Sequence, residues 1–329
     1  MPAKKALRGA SRKAFMWPEE VADLLREGRS PMELAGVGPY IGKLIERWVE
    51  KPPEVPEVPA IRAGFLTVPQ ARRALAKRPG WLRGVRGDLQ MHTTWSDGEA
   101  SVEEMAEAAV ERGYEYVAIT DHTKGLSIAG GIDERQLAKE AKEIAAVNDR
   151  VRARGLTVLQ SAELNINPRG EGDMDAAALR GLDLVLGCFH SSLRTKEDQT
   201  SRYVAALRNP EVHILGHPRG RVYNYRLGLT ADWERVFGVA AELDKAVEID
   251  GYPDRQDLNV DLVKVAKKAG CRISLGTDSH GAAQLRFMEY SAASALMAGV
   301  PKERILNFMS RDELLAWASG VRERVKRAA

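Results

Sequence analysis

The chain has 329 residues, with 49 Lys and Arg against 46 Asp and Glu and with two cysteines, Cys188 and Cys271. That length carries a large buried core and a smaller module, while two cysteines inside apolar runs exclude a disulfide-built scaffold and read as small buried residues. No apolar stretch approaches the roughly 18 residues of a membrane span, and "MPAKKALRGASRKAF" lacks a signal-peptide core, so a soluble, cytoplasmic protein with no membrane partner is expected.

Charge is uneven along the chain. Residues 1–87 hold 17 Lys and Arg against 9 Asp and Glu, a balance of +8, which leaves −5 on the rest. A basic arm on a mildly acidic body suits a polyanionic partner, with a merely solvated terminus as the plain alternative. "MWPEEVADLLREG" and "IGKLIERWVE" have the apolar period of amphipathic helices and flank "LAGVGPY". "KPPEVPEVPA" at 51–60 places four prolines in ten residues, which neither a helix nor a central strand tolerates, so it reads as a semi-rigid connector. Residues 61–86 read as one basic helix and a loop. The expected organisation is a helical module over 1–50, a linker with a basic helix over 51–86, and a main domain over 87–329.

From residue 87 short apolar strands alternate with helix-period segments. The expected strands are "GDLQMH", "YEYVAIT", "LTVLQSAEL", "LDLVLGCFH", "VHILGH", "KAVEID" and "CRISLGTD"; "SVEEMAEAAVERG", "ERQLAKEAKEIAAVNDRVRARG", "TSRYVAALRN" and "LNVDLVKVAKKAG" are helices between them. Seven βα units predict an α/β fold with parallel strands. Acidic or imidazole side chains follow the strands at 92, 122, 163, 190, 217, 250 and 278. An open sheet would gather only those at its switch point, whereas a closed barrel brings every strand end to one rim. A (β/α)7 barrel is therefore expected.

Five of the six histidines, His92, His122, His190, His217 and His280, stand at these strand ends, and His213 reads as a core residue. Asp97, Asp121, Glu163, Asp250 and Asp278 accompany them. A His/carboxylate set without thiolates suits zinc, manganese or iron, and eight or nine candidate ligands exceed what one tetrahedral ion takes. More than one divalent metal ion is therefore expected. Bridged ions activate a water and clamp the oxygens of a phosphoryl displacement.

"HTTWSDG", "ITDH", "AELNI", "FHSS", "GHPRGR" and "GTDSH", in this order over residues 85 to 315, resemble the PHP (polymerase and histidinol phosphatase) family. "VEIDGYPDRQDLN" resembles more narrowly the C-terminal PHP domain of bacterial family X DNA polymerases. The resemblance implies a distorted (β/α)7 barrel and a trinuclear site, hence two to three divalent metal ions, whose ligands are His92, Asp97, His122, Glu163, His190, His217, Asp278 and His280. It groups His92, Glu163 and Asp278; Glu163, His190 and His217; and Asp97, His122 and His280, with Glu163 bridging. Glu163, Asp278 and His217 are the candidate catalytic residues. Asp121 is a candidate to orient a ligand or cap a strand end. Lys124, Arg219, Arg221 and Arg255 are candidate phosphate binders, Arg255 foremost, with a surface ion pair as the competing role of each.

"SPMELAGVGPYIGKLIERWVE" resembles a helix-hairpin-helix, in which Gly36 and Gly38 would present backbone N–H groups to a nucleic-acid phosphate and Lys43 and Arg47 would flank it. A family X polymerase would carry its nucleotidyl-transfer domain between such a hairpin and the PHP domain, and here only the linker and the basic stretch separate them. The expectation is a metal-dependent phosphoesterase acting on DNA as a 3′-5′ exonuclease or 3′-end processing enzyme in DNA repair. The alternatives are a small-molecule phosphomonoesterase and a catalytically impaired DNA-binding protein. The last is raised by Gln90, where a second histidine would complete an H-x-H pair, and by Asn165, where an aspartate is expected. A glutamine amide is a weaker zinc ligand than imidazole, so the first metal is expected to be weakly held.

Overall fold

The computed structural model describes residues 2–328. Eight strands, β1 (Gly87–Met91), β2 (Tyr116–Ile119), β3 (Thr157–Gln160), β4 (Glu163–Asn165), β5 (Leu186–Cys188), β6 (Ile214–Leu215), β7 (Ala246–Asp250) and β8 (Arg272–Gly276), pair in chain order as β1-β2-β3 and β4-β5-β6-β7-β8, each pair parallel. Helices such as Val102–Glu111, Glu134–Val151, Thr200–Arg208, Trp233–Glu242 and Val260–Ala269 alternate with them. Because these helices cover the sheet, strands such as β1 and β7 are buried along their full length.

The single strand expected over "LTVLQSAEL" is two, β3 and β4. At the break Ser161 N donates to Ile119 O while Leu186 N donates to Ala162 O, so the chain changes neighbours there and then re-pairs beyond β2 through Glu163 N to Asp121 O. Counting the broken strand once gives seven positions around the barrel. The seam between β1 and β8 carries few ladder bonds, among them Asp278 N to Gln90 O (3.1 Å) and His92 N to Ser279 O (2.7 Å). The buried Asn307 stitches it from below, accepting from Leu275 N and donating to the carbonyls of Gly87 and Leu275. A side-chain amide thereby satisfies backbone groups that the short seam leaves over.

The N-terminal module has its own small core of Ala10, Leu24, Leu34, Val37, Ile41 and Ile45. Its helices are Pro2–Ala14, Val21–Arg26 and Pro39–Glu50; the first of these was not among the helices read from the sequence. Residues 51–59 have no helix or strand and are exposed, as four prolines dictate. After them the chain packs on the barrel. Helix Val68–Ala76, opened by a Thr67/Gln70 capping box, lies on helix Met288–Ala298 through Ala71, Tyr290 and Ala293, and Trp81 and Val85 join the barrel core.

Candidate metal centre

Side chains alternate along a strand, so in parallel strands the inward set arrives together at the C-terminal rim. β1 brings Gln90 and, one residue beyond its end, His92; β4 opens with Glu163; β5 leads to His190, β6 to His217 and β8 to Asp278 and His280. His217 (φ 20°) and Asp278 (φ 54°), with Ser192 (φ 53°) and Gln256 (φ 43°), have positive φ without being glycine. Such backbone is costly and persists where surrounding structure imposes it.

Glu163 is the hub. Its Oε1 lies 2.7 Å from His190 Nε2 and 2.8 Å from His217 Nε2, and its Oε2 lies 3.2 Å from His92 Nε2 and 3.7 Å from His122 Nδ1. His92 Nε2 is also 3.0 Å from Asp278 Oδ1, while Asp97 Oδ1 stands 3.5 Å from His122 Nε2 and 3.4 Å from His280 Nε2. The His92 ring is stacked between His122 (4.3 Å, 26°) and His280 (4.5 Å, 28°). Burial works against ionising Glu163, and the charges of His122 and His217 with the hydrogen bonds of His190 and His217 overcome it, holding the carboxyl well below its ordinary range.

These residues fit divalent ions. Ligands about 2.1 Å from a tetrahedral ion stand about 3.4 Å apart, and several of the N···O separations between candidate ligands here fall on either side of that value. Four groups of ligand atoms converge: His92, Asp97, His122 and His280; His122, Glu163 and His190; Glu163, Cys188 and His217; and His92, Glu163 and Asp278. The buried His92 Nδ1 and His122 Nδ1 have no hydrogen-bond partner among protein atoms. The structure thus brings all eight expected ligands into one constellation. Its groups share members more extensively than the three sets taken from the resemblance.

Gln90 sits inside this shell. Its Nε2 donates to Glu163 Oε2 at 3.0 Å, and its buried Oε1 has no hydrogen-bond partner. Asn165 Oδ1 lies 3.1 Å from His190 Nδ1, so the residue that departs from the expected aspartate still orients a ligand ring. Asp121 accepts from Thr93 N (2.8 Å), Thr93 Oγ1 (2.6 Å) and Ser96 Oγ, fixing the loop after β1. His213 is a core residue whose Nδ1 accepts from Val185 N, and burial lowers it to about 3.

Of the candidate phosphate binders, Arg255 alone is tied to a ligand, with Nη1 3.0 Å from Asp278 Oδ2. The structure gives the others different work. Arg221 is buried, stacks 3.6 Å from the Phe65 ring centre and donates to the carbonyls of Ala63 and Gly64. Arg219 donates to Leu227 O and Leu229 O, bracing its own loop, and Lys124 forms an exposed ion pair with Glu134 at 2.6 Å. In each, carbonyls or a carboxylate close in sequence or space take donors that phosphate would need.

Two site residues were not read from the sequence as such. Cys188, taken for a plain core residue, places Sγ among the ligand atoms of Glu163 and His217. Glu248 is buried, accepts from His217 N at 2.7 Å, and is pushed by burial to about 8. Both stand two residues before a strand-end His or Asp, and that spacing was the available signal. Glycines 216 and 276 make room beneath: a Cβ there would lie 2.3 Å from Cys188 Sγ or from Glu248 Oε1.

In the N-terminal module Gly36 (φ 80°) makes the turn and Gly38 caps helix Pro39–Glu50, on which Lys43 and Arg47 are exposed. The Lys13 side chain lies over Gly36, which places a cation beside the turn. The segment before this turn, expected as the first helix of a helix-hairpin-helix, is a short 3-10 turn, Pro31–Glu33, with a Ser30/Glu33 capping box.

Residues 88–278 match the PHP domain family. The chain is 34% identical over 234 residues to "DNA polymerase/3'-5' exonuclease PolX" of Bacillus subtilis (strain 168), an alignment of 71% of this chain with 41% of that protein. The chain thus spans about two fifths of that relative's length. A "Probable phosphatase" of Caldicellulosiruptor bescii is 28% identical over 216 residues, 63% of this chain and 84% of that one. Among solved structures, histidinol phosphate phosphatase from Lactococcus lactis, complexed with zinc, L-histidinol and phosphate, is similar at 18% identity and a TM-score of 0.46, covering 63% of this chain and 94% of that chain.

Proposed function

The chain belongs to the PHP domain family, and from that premise we propose that it is a metal-dependent phosphoesterase whose substrate is DNA, cleaved as a 3′-5′ exonuclease or 3′-end processing enzyme. The observation that carries the hydrolytic part is the convergence of eight His and carboxylate side chains, Glu163 at their hub, with Arg255 ion-paired to one of them. Bound divalent ions, two or three of manganese, zinc or iron, would supply an activated water and offset charge on the phosphoryl oxygens. His92, Asp97, His122, Glu163, His190, His217, Asp278 and His280 would hold them. Arg255 offers guanidinium donors to a phosphoryl oxygen beside Asp278. In this reading Glu163, Asp278 and His217 would take up the proton of the attacking water, and the buried Cys188 and Glu248 would limit access of bulk water from below.

Two features favour DNA over a small ester. The +8 arm presents Gly36, Gly38, Lys43 and Arg47 in a turn-and-helix suited to phosphate, with Lys13 beside it. The similarity to the polymerase/exonuclease also extends over 71% of this chain. The small-ester reading rests on the similarity to the probable phosphatase, which is matched over most of its length. Metal-loaded protein is expected to shorten labelled single-stranded and gapped DNA from the 3′ end. Intact DNA together with rapid hydrolysis of histidinol phosphate or p-nitrophenyl phosphate would give the small-ester reading instead. Tight DNA binding with less than one bound ion per chain and no turnover after manganese or zinc addition would leave a binding protein.

A further inference from the structure

The loop after His217 ends in an exposed aromatic side chain that neither the ligand set nor the N-terminal module uses. Tyr225 is 61% exposed at the tip of a narrow turn in which Val222 N donates to Arg226 O and Arg226 N to Val222 O, both at 2.9 Å. One face of its ring is covered by Arg194, whose Cζ lies 4.6 Å from the ring centre. Arg194 is on the loop after His190, so two loops leaving metal-ligand strands meet at this ring.

The turn is braced from behind. Tyr223 N donates to Asp254 O at 2.7 Å, tying the turn to the residue before Arg255, and the Tyr223 ring packs between Phe15 (4.4 Å) and Phe65 (5.2 Å). Asn224, at φ 54°, gives its N–H to Ile61 O and accepts from Arg62 Nε. Leu193 closes on Gly220 from the neighbouring loop. An exposed tyrosine held this firmly loses little freedom when something stacks on it. Arg226 closes the same turn and donates Nε to Gly220 O; burial and the charges of Arg255 and Arg194 hold it below its ordinary value. Arg255 beside Asp278, Arg226 in the turn and Arg194 on the ring thus put three guanidinium groups on these loops.

Guanidinium groups on loops that carry a half-covered aromatic ring are the chemistry of single-stranded nucleic acid: guanidinium groups follow the backbone and a ring takes a base. We propose that Tyr225, backed by Arg194, is a stacking platform for one base near the 3′ end of a single strand whose terminal phosphodiester lies at the metal centre. The proposal rests on the DNA reading above and adds a residue that selects single-stranded ends.

The test is binding, read by fluorescence anisotropy, of metal-loaded protein to an oligonucleotide whose 3′ linkages are phosphorothioate-protected, with a parallel set in which each terminal position in turn is abasic. Tyr225→Ala is expected to weaken binding by about tenfold, Tyr225→Trp to keep it, and Tyr225→Leu to behave like the alanine variant. One abasic position should cost the unmodified protein a similar factor and cost Tyr225→Ala nothing more, because both changes delete the same contact. Thermal melts of the variants separate a lost contact from a lost fold. Unchanged affinity of a folded Tyr225→Ala, a Tyr225→Leu that matches the unmodified protein, or abasic losses that add to the alanine loss at every position would overturn the platform while leaving the DNA reading standing. Failure of the unmodified protein to bind or shorten DNA would remove that reading and the platform together.

Discussion

Position 90 shows how one side chain sets the terms of a metal shell. An imidazole there would add a ligand nitrogen beside His92, whereas Gln90 spends its N–H on Glu163 Oε2 and leaves a neutral carbonyl oxygen buried without a partner. The candidate ligands His122, His190, His217, Asp97 and His280 keep their side chains whichever residue stands at 90. Gln90→His is therefore expected to raise the number of zinc or manganese ions retained after dialysis, measured per chain by elemental analysis. Three ions already stoichiometric in the unmodified protein would contradict the idea. The same residue face was legible from sequence for His92. Cys188 and Glu248 were not, because a thiol or carboxyl inside an apolar strand looks like any core position until opposing strands place it beside a ligand.

At the scale of elements, the segment after the proline linker does more than connect. Phe65 packs with Phe15 (6.2 Å) and Tyr223 (5.2 Å) and carries the Arg221 guanidinium, while Gln256 bonds both the N–H and the carbonyl of Leu66. One aromatic cluster thereby joins the module, the linker's end and the loop that leaves His217. Phe65→Ala should lower stability by about 2 kcal/mol, below the roughly 3–5 kcal/mol of a fully buried aromatic because the site is only partly buried. It should also speed proteolysis between residues 51 and 66, read by limited digestion. An unchanged melting temperature and digestion pattern would show that the cluster does not hold the linker. Proline content announced the connector, but the basic residues beyond it gave no hint that Arg221 would turn away from phosphate to hold its end.

For the whole molecule, the charge asymmetry becomes geometry. The +8 N-terminal part touches the barrel through Tyr290 Oη to Phe15 O, through Arg72 with Glu289 and through the helix pair around Ala71, while Lys43 and Arg47 stay exposed on helix Pro39–Glu50. If they contact phosphates, the double variant Lys43→Ala/Arg47→Ala should reduce the slope of log affinity against log salt for single strands by about 1.4, since each phosphate contact contributes about 0.7. A salt titration of oligonucleotide binding measures this directly. An unaltered slope would mean that the arm is solvated and takes no part. Among the described residues no helix is long and apolar enough to cross a membrane.

The sequence by itself determined the α/β alternation, the strand ends and the residue types gathered there, because a period of two along each strand and a repeat of about thirty residues already place His92, His122, Glu163, His190, His217 and Asp278 at one phase. Short apolar runs, glycine stops and proline clusters are local signals, and local physics reads them. Only the tertiary structure decided that the third strand breaks at Ser161, that Asn307 closes the barrel seam, and that Cys188, Glu248 and Gln90 share the floor with the ligands. It also decided which arginine faces the centre. Arg255 and Arg221 are alike in sequence, each a cation in a polar loop, and they differ because Asp278 stands 3.0 Å from one while Phe65 and two carbonyls enclose the other. Partners brought together across long stretches of chain carry no local signature, so their effect on a side chain exists only once the barrel has closed.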